Sequence, residues 1–180
     1  MRDPSHSLII RQATVADAQA ISELHISSWQ WAYRGLLPQN YLDSMGDTLD
    51  VRIKSRRAQL ENMPSQVRCW VAQQGEHIVG WAITGPSRDS DISPTIAEVY
   101  ALYLSPDVIG KGVGRSLFSH VVADLRQRGY HQATLWVLEG NTHARKFYEA
   151  AGWSPDGTSK IVERPDFILH EVRYHLTITP

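Results

Sequence analysis

The chain has 180 residues, 42% hydrophobic and 21% charged. That is enough for one domain with a sizeable core, and the composition excludes a long disordered tract. Its formal net charge of −1 supplies no global basic field for nucleic acid or an anionic membrane surface, so any anion site must be local.

Residues 1–7 are polar, and no apolar signal-peptide segment follows them. No apolar run reaches the roughly 18 residues of a membrane-spanning helix. The single cysteine, Cys69, excludes an internal disulfide and favours a reducing compartment. We therefore expect a cytoplasmic protein with one domain over residues 1–180.

The first half of the chain predicts alternating short strands and helices. Leu8 to Arg11 is a short strand, and Thr14 is a helix N-cap with Asp17 three residues on as its capping-box partner. A second helix is predicted from Asp50 to Leu60. Two strands, Val67 to Gln73 and Ile78 to Ile83, are joined by a tight turn at Gln74-Gly75-Glu76, which predicts a hairpin.

The second half predicts a strand–helix–strand–helix order. After a polar loop from Pro86 to Pro94, the segment Ile96 to Leu104 is the clearest strand. Apolar residues at steps of four then predict a helix that ends near Gly129. A strand from Ala133 to Leu138 precedes a helix capped by Asn141 and ended by Gly152. A final strand spans Phe167 to Leu176.

The most informative segment is the glycine-rich turn between the central strand and the next helix. Gly110, Gly112 and Gly114 would let backbone N–H groups approach a ligand closely. The helix N-terminus adds unpaired donors and partial positive charge, which favour a phosphate or pyrophosphate. Lys111 and Arg115 add local positive charge.

Two other phosphate motifs fit this turn less well. A P-loop needs Ser or Thr directly after its Gly-Lys pair, whereas Gly112 follows Lys111. A dinucleotide site needs a third small residue, and Leu117 stands there. Glu139 could still serve as a ribose-binding acid, which keeps a nucleotide-dependent oxidoreductase open, although the preceding hairpin disfavours a parallel βαβ fold.

These residues resemble the GCN5-related N-acetyltransferase (GNAT) family. Gly112 and Gly114 match its glycine motif, Tyr103-Leu104-Ser105-Pro106 matches the strand exit, and Ile109 replaces the usual Gln or Arg. A second motif matches from Asn141 to Trp153. The front of the chain, from Ile10 to Pro38, also resembles the family, so the likeness covers nearly the whole chain.

The resemblance implies a mixed, mostly antiparallel α/β sheet flanked by helices and splayed between its fourth and fifth strands. It implies acetyl-CoA as acyl donor, with the pantetheine arm beside the fourth strand and the pyrophosphate on amides from Gly110 to Arg115. A homodimer stays open. The implied cofactor-binding residues are Leu102, Tyr103, Leu104, Ile109, Gly110, Lys111, Gly112, Val113, Gly114, Arg115, Asn141, Phe147 and Tyr148.

Acyl transfer to an amine needs a neutral amine, a stabilised oxyanion and a proton for the leaving thiolate. By resemblance, Tyr148 is the general acid and the Leu104 N–H donates to the oxyanion. The resemblance also makes Glu98 the candidate base, because relatives often place an acid six residues before the position of Leu104, and even-numbered residues of this strand should share a face. Glu98 could instead be an exposed carboxylate or a salt-bridge partner. His25, with an ordinary pKa near ~6.5, is a rival base.

Three aromatic residues at the end of the first helix, Trp29, Trp31 and Tyr33, are predicted to wall the acceptor site. They could bind an apolar amine or a cation, or they could be core. No metal site is expected, since His170 and His175 are five apart on a strand. The sequence thus indicates an N-acetyltransferase acting on a small-molecule or peptide amine by direct attack, with a non-catalytic acyl-CoA-binding module as the alternative.

Overall fold

A seven-stranded sheet forms the centre of the computed structural model, which describes residues 7–93 and 95–178. The order across the sheet is β1-β2-β3-β4-β5-β7-β6, and every pair is antiparallel except β4 with β5. The strands are β1 (Leu8–Gln12), β2 (Arg68–Gln74), β3 (His77–Pro86), β4 (Ala97–Leu104), β5 (Gln132–Leu138), β6 (Ser154–Glu163) and β7 (Ile168–Thr177).

Helices cover both faces of this sheet. They are α1 (Ala18–Ala32), α2 (Gln39–Ser44), α3 (Leu49–Glu61), α4 (Val113–Gln127) and α5 (Thr142–Ala150). Strand β2 shows the division, because Trp70 and Ala72 pack in one core with α4 and α5, whereas Cys69 and Val71 pack in another with α1 and α3. This alternation is what buries a strand on both faces.

The sheet opens between β4 and β5. These strands pair in parallel only from Ala97, opposite Ala133, to Val99, opposite Leu135, and then separate. The predicted splay between the fourth and fifth strands and the predicted mixed, mostly antiparallel fold class are therefore confirmed. The gap leaves one side of β4 without a strand partner over its last residues.

A β-bulge interrupts β4 just before this gap. Ile83 of β3 lies opposite Ala101 and Thr84 lies opposite Val99, so Tyr100 is an extra residue. Before the bulge the odd-numbered Val99 faces α4, and after it the even-numbered Leu102 does. Glu98 and Leu102 thus lie on opposite faces, and the prediction that they point together is wrong.

Most predicted elements are present, with small shifts at their ends. The hairpin between β2 and β3 turns at Gly75-Glu76, and Thr14 and Asp17 form the predicted capping box before α1. Strand β6 and helix α2 were not predicted. The described part of the chain does not include residues 1–6, Pro94 or residues 179–180. Parts of three predictions fall there: the polar N-terminal segment, the polar loop from Pro86 to Pro94 and the single domain.

Candidate active site

A cavity of about 330 Å³ fills the gap between β4 and β5. It is walled by the last residues of β4, the middle of β5, the end of α1, the first turns of α5 and the glycine-rich turn before α4. Most of the predicted site residues therefore surround one space. Those that line it are Trp31, Tyr33, Leu102, Tyr103, Leu104, Ile109, Gly110, Gly112, Gly114, Arg115, Asn141, Phe147 and Tyr148.

The glycine-rich turn presents backbone rather than side chains to the cavity. Gly110 and Gly112 have φ of 77° and 85°, which favours glycine at both positions. Gly112 precedes α4, whose first-turn N–H groups have no acceptor within the helix. Lys111 is exposed and its N–H donates to the Val108 carbonyl at 3.1 Å, so that amide is already used. Arg115 brings a cation to the cavity wall.

Close packing explains the third glycine. A Cβ on Gly114 would stand 2.8 Å from Leu104 Cδ1 and 3.4 Å from a ring carbon of Phe147. The bare backbone lets the start of α4 approach β4 and α5. The turn therefore offers free amides, a helix N-terminus and a nearby guanidinium, a combination that fits a pyrophosphate.

The backbone of β4 turns hydrogen-bonding groups into the gap. Ser105 N–H donates to the Val79 carbonyl of β3 at 2.9 Å. Because alternate residues direct their backbone groups to opposite sides of a strand, Leu102 and Leu104 direct theirs away from β3. These groups face the cavity, where an extended ligand could pair with them as a further strand would.

Tyr148 reaches the cavity from α5. Its ring is buried among Phe118, Phe147 and Trp153, and no protein group in the described part of the chain hydrogen-bonds to its hydroxyl. Burial raises the pKa of Tyr148 well above its ordinary value, with a smaller effect from Tyr103. The phenol therefore stays protonated at neutral pH and can only donate a proton.

Asn141 connects the cavity to α5. Its Oδ1 accepts the Ala144 N–H at 3.0 Å and caps the helix, as the sequence predicts. The side chain is buried, and its NH2 group has no protein acceptor in the described ranges. Val113, in contrast, is buried in the α4 core, so only its backbone could contact a cofactor.

Glu98 does not line the cavity. Only 2% of its surface is exposed, and its two oxygens accept from Arg88, at 2.5 Å from Nη2 and 2.8 Å from the backbone N–H. The bulge at Tyr100 turns Glu98 toward Arg88 rather than toward the face of Leu102. The predicted base is thus committed to an ion pair.

The predicted acceptor wall is only partly present. Trp31 and Tyr33 line the cavity, whereas Trp29 packs behind them, with its ring centroid 4.8 Å from that of Tyr33. His25 stacks on Tyr103 at 5.2 Å and does not reach the cavity. Burial, aided by nearby arginines, lowers the pKa of His25 to about 4, so its imidazole is neutral at pH 7.

Sequence reasoning missed several lining residues, among them Tyr100, Trp136 and His143. Trp136 had a usable signal, because strand alternation places it on the face opposite Leu135. Tyr100 had none, since its position depends on the bulge. Within residues 7–93 and 95–178 no group of three His, Cys, Asp or Glu could hold a metal, and no helix is long and apolar enough to cross a membrane.

Only β4 and β5 pair in parallel, whereas a dinucleotide-binding domain is built from successive parallel βαβ units, so the sheet does not support an oxidoreductase. Comparison with known proteins leads to the same family as the motifs. The sequence profile described as the Acetyltransferase (GNAT) family matches residues 21–153.

An uncharacterized N-acetyltransferase of Bacillus subtilis, YuaI, is 31% identical over 149 residues, 82% of this chain and 79% of the relative. A spermidine N(1)-acetyltransferase of Thermoplasma acidophilum is 24% identical over 92% of this chain and 97% of its own.

The crystal structure of the PaiA N-acetyltransferase from Thermoplasma acidophilum in complex with coenzyme A superposes with a TM-score of 0.73 at 18% identity, covering 95% of this chain and 99% of that one. The two chains therefore share the same fold. The chain therefore belongs to the GNAT family and is an acetyl-CoA-dependent N-acetyltransferase.

Proposed function

We propose that the cavity between β4 and β5 transfers an acetyl group from acetyl-CoA directly to a primary amine of a small molecule or peptide. One observation carries the proposal: a free phenol, the outward backbone groups of β4 and the glycine-rich turn all face the same cavity. A module that only bound acyl-CoA would need the turn and β4, but it would not need a proton donor at their meeting point.

The donor is held by backbone groups. First-turn amides of α4 and Arg115 take the pyrophosphate, and Leu102 and Leu104 pair with the pantetheine arm. Asn141 and Phe147 border the same arm. Ile109 offers no side-chain donor in place of the usual Gln or Arg, so binding depends on the backbone. When bound, acetyl-CoA supplies a thioester whose carbonyl carbon the amine attacks.

Each reacting atom has a partner on this chain. The Leu104 N–H, directed into the gap, donates to the oxygen that gains negative charge. Tyr148, a phenol that is protonated at neutral pH, gives its proton to the departing sulfur. We assign no protein base, because Glu98 is paired with Arg88 and His25 lies behind Tyr103. The amine loses its proton to cavity water.

The acceptor enters from the sheet face opposite α4, beside Trp31 and Tyr33. The spermidine relative suggests a small amine, and the aromatic lining is compatible with one. We also propose a cytoplasmic location, from the single buried Cys69 and the near-neutral charge. The same balanced charge argues against nucleic acid or membranes as partners, and a homodimer remains the oligomeric state to test.

Two measurements on the whole protein test this function. Acetyl-CoA or CoA at 100 times the Kd should stabilise the fold by about 2.7 kcal/mol in a thermal-shift titration, and NAD should not. Free thiol should then appear when primary amines are added with acetyl-CoA. Cys69 will not interfere, because it is buried and burial raises its pKa to about 12. Stabilisation by CoA without thiol release on any amine would favour the binding module.

A further inference from the structure

The cavity is lined by elements on both faces of the sheet. Leu135 and Val137 of β5 pack against the α4 core, so Trp136, between them, points to the opposite face. The glycine-rich turn and α5 occupy the α4 face. Direct attack requires both substrates at once, and the acceptor must therefore enter from the face that carries Trp136.

Two aromatic side chains flank the gap on that face. Tyr100 is the extra residue of the β4 bulge, Trp136 lies on β5, and both line the cavity. Each ring already contacts cations of the protein. The Arg88 guanidinium carbon is 3.9 Å from the Tyr100 centroid, and Lys160 Nζ and the Arg173 guanidinium carbon are 3.9 Å and 5.5 Å from the Trp136 centroid. These aromatic surfaces are therefore suited to a positively charged group.

Each of these cations is neutralised by a carboxylate. Arg88 Nη2 lies 2.5 Å from Glu98, and Lys160 Nζ lies 3.4 Å from Glu171. These ion pairs reduce the repulsion that an approaching ammonium would meet. The pKa of Tyr33, which lines the cavity, is raised mainly by burial and to a smaller extent by the Glu171 carboxylate. The negative charge of Glu171 therefore acts at the cavity wall.

The indole of Trp136 is fixed by an acidic network behind it. Its Nε1–H donates to the Asp89 carboxylate, with 3.0 Å to either oxygen. Asp89 accepts from Arg173 at 3.2 Å, and the same guanidinium binds Asp91 at 2.8 Å and Asp156 at 2.6 Å. Three carboxylates around one guanidinium leave two negative charges in excess next to Trp136.

We propose that Trp136, oriented by Asp89, determines acceptor specificity, and that the acceptor is a primary amine carrying a second positive charge, as a diamine or polyamine does. The distal ammonium lies against Trp136 and Tyr100 while the other amine, deprotonated, faces the thioester. The inference rests on the proposed function and names its substrate class. It assigns Trp136 to acceptor contact and Asp89 to positioning.

The first test compares matched acceptors on the wild-type enzyme. Diaminoalkanes of three to six carbons are set against 1-aminoalkanes and amino alcohols of the same length, with kcat/KM taken from thiol release. The best diamine should exceed its monoamine at least tenfold. That advantage should shrink as salt is added, because salt screens the attraction of charges. Calorimetry with CoA-saturated enzyme measures amine binding independently of turnover.

Four variants locate the preference, and two of them, Trp136→Ala and Lys160→Met, should act in opposite directions. Trp136→Ala should remove most of the diamine advantage, whereas Trp136→Phe, which keeps a ring, should retain part of it. Lys160→Met frees the outer ring face and Glu171, so it should tighten diamine binding several-fold. Asp89→Asn should raise the KM for the diamine more than it lowers kcat. The KM for acetyl-CoA should stay unchanged in all four variants.

The outcomes separate this inference from the proposed function. Equal binding of diamines and monoamines, or equal loss of both in Trp136→Ala, would overturn the inference even with an active enzyme. Diamine binding that depends on Trp136 without thiol release would support the acceptor assignment and overturn the acetyltransferase mechanism. A thermal-shift response to CoA shows that each variant is folded. If Trp136→Ala does not fold, the diamine preference of Trp136→Phe tests the role of Trp136 instead.

Discussion

At the scale of single residues, the Tyr148 hydroxyl is the group on which the mechanism depends most. It faces the cavity without a protein hydrogen bond in the described ranges, and burial keeps it protonated. Tyr148→Phe should lower kcat by about 10²–10⁴-fold, the usual contribution of a general acid. Steady-state thiol release measures this loss.

Two further measurements serve as controls for Tyr148→Phe. The Kd for CoA and the melting temperature of Tyr148→Phe should change little, because the ring stays in place and the lost hydroxyl has no hydrogen-bond partner among residues 7–93 and 95–178. A variant with full kcat would show that water protonates the sulfur.

His25 makes the fold sensitive to mild acid. Its pKa is lowered to about 4 by burial, so between pH 4 and about 6.5 the unfolded chain binds the extra proton and stability falls as pH falls. From pH 7 to pH 5 the loss should be about 2 kcal/mol. Denaturant unfolding at several pH values should show it in wild type and in exposed His77→Gln, but not in His25→Phe. Equal slopes in all three proteins would refute this assignment.

At the scale of elements, the glycine-rich turn both offers backbone amides to a ligand and lets α4 pack closely against β4. Gly114→Ala places a Cβ 2.8 Å from Leu104 Cδ1, so α4 or the leucine must shift. We expect a loss of about 1–3 kcal/mol in the free energy of unfolding, together with weaker CoA binding.

A second glycine provides the control for that substitution. Gly46→Ala meets nothing within 4 Å and has no positive φ, and it should leave both quantities nearly unchanged. Chemical denaturation and CoA titration compare the two variants. Equal effects at Gly114 and Gly46 would show that the contact with Leu104 is unimportant.

At the scale of the whole molecule, Arg173 joins parts of the chain on either side of the gap. It connects β7 to Asp89 and Asp91 of the β3–β4 loop and to Asp156 of β6, with 6% of its side chain exposed. Arg173→Met should cost about 3–5 kcal/mol, because three carboxylates lose a buried partner. Arg11→Met, at a half-buried arginine that pairs with the single carboxylate of Asp17, should cost less than Arg173→Met because only one carboxylate loses its partner.

The pH dependence provides a second check on Arg173. Pairing with Arg173 helps to lower the pKa of Asp91 and, together with Thr158, that of Asp156, so their contribution is present above the ordinary carboxyl pKa and is lost as pH falls below it. The stability difference between wild type and Arg173→Met should therefore narrow below about pH 4. A gap that stayed constant in acid would point to lost packing rather than lost charge pairing.

The sequence by itself determined the family, most element positions and the turn before α4. These depend on neighbours along the chain: the spacing of Gly112 and Gly114, the cap at Asn141 and the apolar face that carries Tyr148. Such local patterns specify backbone geometry without knowledge of distant contacts. The two motifs together also made acetyl-CoA the expected donor.

Only the tertiary structure decided the acceptor side. The bulge at Tyr100 arises from the pairing of β4 with β3, and it turns Glu98 toward Arg88 and away from the face of Leu102. The edge strand β6 forms because β7 offers it hydrogen bonds, although its own sequence predicts no strand. The environment of Trp136 is assembled from segments far apart in sequence, and a one-residue change of register reverses which side chains face the cavity.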